Sequence, residues 1–201
     1  MSGGPRALVV IAALAGAAAA EERAEPDPAA TYAGEEANLE STERRRGFVG
    51  GGSVGGSFTT GATTGTGGAI ALRLGQVATP RTVILVELAG ATQFKRIDET
   101  SGLIADNVSS LLAGAQHWLG PSLWVRLTGG VGVYRCNQCD LDDDGLRETF
   151  TRAGIAGGFA IGLDVVRWRG LVLGFEASSI NQLNRVGLLS TNALSLGLSF
   201  D

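Results

Sequence analysis

The chain reads as an all-β protein, an eight-stranded antiparallel up-and-down transmembrane β-barrel, and three observations predict this. Between Phe48 and Phe200 it divides into eight segments of roughly ten residues that alternate apolar with polar or small side chains. Its arginines and glutamates in those segments fall almost entirely on one parity. The connections between segments alternate in character, some short, the others mostly longer and more polar. About nine to eleven tilted strand residues cross a bilayer's apolar core, so segments of this length suit a membrane wall.

Residues 1–20 stand apart from that pattern. Arg6 gives a positive start, Ala7 to Ala20 an apolar stretch, and Ala18-Ala19-Ala20 a small-residue cleavage site before Glu21. The stretch is short for a spanning helix, which needs about twenty residues. With no cysteine near the cut, a lipid anchor is not expected. Residues 21–46 are charged, hold Pro26 and Pro28, and have no large apolar face, so they are expected to form a disordered periplasmic lead-in. The barrel is expected over residues 47–201.

The eight strands follow in order, outward residues first. Strand one, about Phe48 to Phe58, places Phe48, Val54 and Phe58 outward and is otherwise mostly Gly and Ser. Strand two sets Ile70, Leu72 and Leu74 against Ala69, Ala71 and Arg73. Strand three sets Ile84, Val86 and Leu88 against Glu87, Ala89 and Ala91, although Val83 and Leu85 interrupt the polar side. Strand four, Val108 to Trp118, admits either register. Strand five sets Leu123, Val125, Leu127, Val131 and Val133 against Trp124, Arg126, Thr128, Gly130 and Tyr134. Strand six sets Ile155, Phe159, Ile161 and Leu163 against Arg152, Gly154, Ala156, Gly158 and Ala160. Strand seven sets Leu171, Leu173 and Phe175 against Gly174, Glu176 and Ser178. Strand eight is the clearest, with Leu194, Leu196, Leu198 and Phe200 against Ala193, Ser195, Gly197 and Ser199.

Threading these strands with both ends of the chain inside puts Gln76–Arg81, Leu119–Ser122 and Asp164–Gly170 at the periplasmic side. Phe94–Asp106, Arg135–Thr149 and Asn181–Leu189 then become external loops. Phe48, Trp118, Trp124, Trp168 and Phe200 fall at the periplasmic ends, and Phe58, Phe94, Tyr134 and Phe150 at the external ends. That sorting predicts two aromatic girdles at the headgroup levels.

The chain resembles the small eight-stranded outer-membrane proteins of the OmpA and OmpX type over Gly47 to Asp201. The resemblance rests on pattern, strand count and one motif, the terminal Leu196-Gly197-Leu198-Ser199-Phe200. It implies recognition of the last strand by the barrel assembly machinery. The chain departs from the motif by ending on Asp201 and by carrying Leu194 at a position that is usually polar. Such barrels include adhesins, structural anchors, narrow pores and a few enzymes, so the resemblance implies place and fold but not activity.

Arg73, Glu87, Arg126, Arg152 and Glu176 all fall on the inward parity. An eight-stranded barrel is just wide enough to be filled by side chains, so a charge-paired lumen core is expected ahead of a narrow pore. In the third external loop Asp140, Asp142, Asp144 and Gly145 match the first half of a calcium loop, and Glu148 adds a carboxylate. Thr151 stands where the bidentate Glu belongs, so at most a weak external Ca2+ site is expected there, against the plainer reading of a solvated acidic tip. No other cofactor is expected. Cys136 and Cys139, the sole cysteines, are expected to form a disulfide at the base of that loop, because export leads to an oxidising compartment. His117 is the single histidine and lacks the nucleophile spacing of membrane-barrel hydrolases, so no catalysis is expected.

The net charge of −4 argues against nucleic acid as a partner, and outer-membrane lipid around a monomer is expected instead. A structural or adhesive role through the external loops follows. The rival is a soluble periplasmic lipocalin-like barrel holding a small apolar ligand, which would turn the apolar parity inward.

Overall fold

The computed structural model describes residues 47–96, 103–140 and 147–200. For residues 95, 96, 103, 104, 138–140, 147 and 148 it describes the backbone alone. The expected signal segment and lead-in lie outside these residues, as do Asp142 and Asp144. Eight strands appear in the expected order: β1 Phe48–Gly61, β2 Gly65–Thr79, β3 Thr82–Arg96, β4 Leu103–Trp118, β5 Leu123–Asp140, β6 Arg147–Trp168, β7 Leu171–Asn184 and β8 Gly187–Phe200. Each pairs antiparallel with its neighbour, and β1 pairs with β8 to close the barrel. Closure leaves no full-length edge.

The strands run further than the apolar alternation does. The β2–β3 connection shrinks to residues 80–81, the β6–β7 connection to 169–170 and the β7–β8 connection to 185–186. Backbone pairing continues past the apolar belt because a ladder needs only paired N–H and C=O groups, not apolar side chains. Arg169 and Gly170 both take positive φ, 49° and 83°, which permits that two-residue turn.

The wall has one apolar face, and it faces out. Leu72, Leu74, Leu88, Leu127, Ile155, Phe175, Leu194, Leu196 and Leu198 are all exposed, whereas Glu87, Arg126 and Glu176 are buried in the lumen. In β4 the register settles with Val108, Ser110, Leu112 and Trp118 inside and Ser109 and Leu111 outside. We call the end holding Phe48, Phe200 and the turns at 80–81, 119–122 and 169–170 the terminal end. The opposite end is the loop end.

The girdle expectation needs correction. The nine aromatic residues sit at the expected ends, but Trp118, Trp124 and Tyr134 are buried inside the barrel at 7, 7 and 2 % exposure, and Phe150 is half-buried. Only Phe48, Trp168 and Phe200 at the terminal end, with Phe58 and Phe94 at the loop end, project from the wall. Strand parity decides the face, and depth along the barrel does not.

Candidate functional site: the lumen and the loop end

From terminal end to loop end the lumen changes character in layers. At the terminal mouth, Trp118 of β4 and Trp124 of β5 face each other across their turn and pack with Val83, Leu85 and Ala160. The two interruptions of the polar parity in β3 are thus members of an apolar cap. Both indoles donate to one carboxylate: Trp124 Nε1 to Asp164 Oδ1 at 3.0 Å and Trp118 Nε1 to Asp164 Oδ2 at 3.3 Å. Arg167 donates to Asp164 Oδ2 at 2.9 Å and to the Pro121 carbonyl at 3.2 Å, tying this carboxylate to the neighbouring turn.

Trp124 fits only because β6 offers it a glycine. A Cβ on Gly162 would lie 2.1 Å from Trp124 Cζ2, so the indole rests flat on bare backbone. Gln182 uses Gly132 in the same way, where a Cβ would stand 2.4 Å from its Cδ. Large lumen side chains on one strand are thereby matched with empty positions on another.

Above the cap lie two arginines and two glutamates from four strands. Arg73 of β2 and Glu87 of β3 are register partners; Arg126 comes from β5 and Glu176 from β7. Arg73 Nη2 donates to Glu176 Oε1 at 2.6 Å and to Glu87 Oε1 at 3.5 Å. Arg126 Nη2 donates to Glu176 Oε1 at 2.8 Å, and its Nε lies 2.9 Å from Glu87 Oε2. Each arginine therefore bridges both glutamates, and the charges balance. Ser53 accepts from Arg73 at 3.1 Å, Gln116 accepts from Arg126 at 3.3 Å, and the Arg126 guanidinium lies 5.0 Å from the Trp124 ring centroid. Isolated buried charges would be strongly unfavourable; the ring of pairs offsets that desolvation.

Arg152 stands away from these four. Its guanidinium lies over the Phe150 ring at 5.2 Å, near the loop end, so the structure brings together four of the five lumen charges expected. Two small cavities flank the quartet, of about 70 Å3 on the capped side and about 30 Å3 on the other, the latter lined by Ser53, Ser178, Thr191 and Ser195 among others. Toward the loop end the lining turns to neutral polar groups. Gln182 Nε2 donates to the Ser109 carbonyl at 2.9 Å and to Ser110 Oγ at 2.8 Å, and Thr59 and Thr191 share a hydrogen bond of 2.9 Å.

A second cap closes the loop end: Val108, Tyr134, Cys136 and Leu189, with Phe150 edge-on to Tyr134 at 6.0 Å. Asp106, fully buried, accepts from Tyr134 Oη at 3.1 Å and from the Asn137 backbone N–H at 2.9 Å. Asn137 Nδ2 also donates to the Ala105 carbonyl. The ladder between β5 and β6 breaks register between Cys136 and Cys139, so Asn137 sits in a bulge and Asp106 receives the N–H that the bulge frees. Cys136 is disulfide-bonded, and Cys139 is the other cysteine of the chain. Of the calcium-loop residues, Asp140 and Glu148 have described backbone only, and Asp142 and Asp144 lie outside the described residues.

Sequence reasoning missed Asp106 and Asp164, both assigned to connections. The available signal was their inward parity when the strands are extended by a few residues. His117 projects from the wall at the terminal end, where its Nδ1 and Thr82 Oγ1 lie 3.0 Å apart. No group of three or more potential metal ligands occurs among the described residues.

Comparison with known proteins places the fold. No protein-family model matches the chain, and no curated protein matches it. Among solved structures, Neisserial surface protein A is similar over 76 % of this chain and 96 % of its own, with a TM-score of 0.57 at 14 % identity. Ail, the attachment invasion locus protein of Yersinia pestis, is similar over 77 % of this chain and 99 % of its own, with a TM-score of 0.55 at 17 % identity. Ail in complex with the heparin analogue sucrose octasulfate gives a TM-score of 0.54 at 15 % identity over the same shares. The chain thus shares the closed eight-stranded antiparallel fold of small outer-membrane barrels.

Proposed function

We propose that this chain is an integral outer-membrane barrel of a Gram-negative cell, exported behind a cleaved signal segment and acting without catalysis, in a structural or adhesive role through its loop end. The observation that carries this reading is the orientation of the wall. Leu74 and Leu127 are each 70 % exposed and Leu194 74 %, within a belt that runs around the barrel, while the buried Arg126, Glu87 and Glu176 face the axis. A soluble monomer does not carry an apolar belt of that extent, and lipid is the solvent that suits it. A lipocalin-like rival needs the opposite orientation.

The layered lumen weighs against a pore: among the described residues an apolar cap stands at each end, with a neutral charge ring and two small cavities between them. One of the fold neighbours is named an attachment protein, which supports an adhesive role for the loops. Its heparin analogue is a polyanion, whereas the loop of this chain carries Asp140, Asp142, Asp143, Asp144 and Glu148 against Arg147. A polyanionic partner at that loop is therefore disfavoured on charge. Weak Ca2+ binding at Asp140, Asp142, Asp144 and Glu148 suits the same acids, and calorimetric titration without heat at millimolar Ca2+ rejects it.

The test of the membrane reading is fractionation. The mature protein is expected to stay with urea-washed membranes, dissolve in detergent, and migrate differently on gels when left unheated. Recovery of folded protein in the aqueous phase without detergent overturns it.

A further inference from the structure

From the β2–β3 turn to the β6–β7 turn, the rim of the terminal end is an arc of cations. Arg81 lies in the first turn and Arg169 in the second, both exposed, with Arg167 near the end of β6 and the exposed His117 near the end of β4. Hydrogen bonds join the pieces. The Trp118 N–H donates to the Arg81 carbonyl at 2.9 Å, and the Asp164 N–H to the Ser122 carbonyl at 2.8 Å. Arg167 Nη2 donates to the Pro121 carbonyl at 3.2 Å, so the turn at 119–122 bridges the two halves of the arc. From β3 to β6 the arc crosses the spacings between four neighbouring strands, roughly 14 Å in all.

We propose that this arc is a seat for the phosphate headgroups of anionic phospholipids in the leaflet that meets the terminal end. The inference rests on the membrane reading above and names the lipid chemistry that the barrel selects on that side.

Three observations support it. First, the arc is not balanced in charge. Asp164 is its one carboxylate among the described residues, and that group already accepts from both indoles and from Arg167. Arg81 and Arg169 have no carboxylate partner among the described residues, in contrast to Arg73 and Arg126, which are matched by glutamates inside the lumen. Second, the cations stand at the margin of the apolar belt. Leu119, Leu123 and Val166 are exposed beside them, and Trp168 projects at 63 % exposure with the Arg169 guanidinium 5.3 Å from its ring centroid. A tryptophan on the wall marks the headgroup level, and an arginine stacked on it holds its charge at that depth. Third, the backbone under the cations is fixed. Both turns are two residues long and close a continuous ladder, so seating a headgroup orders little besides side chains.

The test is competitive lipid retention. The mature protein in neutral detergent is equilibrated with equal amounts of phosphatidylglycerol and phosphatidylcholine of the same acyl chains, and the bound lipids are read by native mass spectrometry. Phosphatidylglycerol is expected to be retained about tenfold over phosphatidylcholine, and R81Q and R169Q should each lower that ratio about fivefold. Both variants change exposed turn residues, so the unheated gel mobility of the wild type is expected to be kept. R135Q, which removes an exposed arginine near the loop end, should leave the ratio unchanged. Excess inorganic phosphate should not displace the lipid, because it lacks the chains that the neighbouring apolar wall holds. The proposal is overturned by equal retention of the two lipids, by an unchanged ratio in the folded R81Q and R169Q variants, or by an equal fall in R135Q. Displacement by inorganic phosphate overturns it in favour of a site for free anions. Fractionation with the membrane does not depend on lipid headgroup charge, so the two readings fail separately.

Discussion

Trp124 and Asp164 are joined across the terminal mouth by a 3.0 Å hydrogen bond from the indole N–H to a carboxylate oxygen. The other oxygen of the same carboxylate serves Trp118. One acidic side chain thus holds two large rings flat across the opening. Replacing Asp164 with Ala should deprive both indole N–H groups of this acceptor, at about 1–3 kcal/mol each before relaxation. A lower unfolding midpoint in urea and red-shifted tryptophan emission are expected. An unchanged midpoint would mean that the rings are held by packing alone.

The charge quartet predicts an order among substitutions. Arg126→Ala removes the more deeply buried arginine and strips one partner from each of Glu87 and Glu176, so a loss of about 3–5 kcal/mol is expected. Arg73→Ala should cost less, because its side chain is 13 % exposed against 2 % for Arg126. Equilibrium unfolding of both variants in the same detergent measures the order, and the reverse order would contradict the ring geometry.

Gly162 and Trp124 should be energetically coupled. Gly162→Ala puts a methyl group where the indole lies and should destabilise the barrel by about 1–3 kcal/mol. In the background of Trp124→Leu, which leaves Gly162 uncovered, the same change should cost much less. A double-mutant cycle reads the coupling directly, and simple additivity would show that the indole does not occupy the glycine seat.

The wall makes a prediction that separates the two solvents. Leu127→Arg places a guanidinium on the apolar face of β5 and should cost about 2–4 kcal/mol if that face meets the bilayer interior. Lower refolding yield into phospholipid vesicles is the expected result. Unchanged yield would place Leu127 outside the hydrocarbon.

Much of this architecture is written in period-two alternation. Leu194, Leu196, Leu198 and Phe200 point out as their parity requires, and Arg73, Glu87, Arg126 and Glu176 point in. Alternation says nothing about which inward residues meet, because the pairing depends on the tilt and stagger of a closed sheet. That is why Arg152 shares a parity with the quartet and none of its contacts. The aromatic residues were legible in depth; the facing of Trp124 and Tyr134 was written in the inward parity of strand five, whereas that of Trp118 was not, because strand four admitted either register. A tryptophan at a strand end can lie on either side of the wall, and Trp118 and Trp124 turn inward to meet Asp164. Asp164 itself keeps the inward parity of strand six; the register shift between Asp164 and Val166 ends the alternation just beyond it, so the strand was drawn one residue short.

The seam between β1 and β8 sets Gly50 beside Phe200, with the ring resting over the glycine. The earliest-made strand of the cylinder finds its second neighbour only when the latest-made one has been synthesised. No shorter product of the ribosome can be a smaller version of the finished object; it is an open ribbon with two sticky margins. The closed form becomes available only once β8 can reach β1.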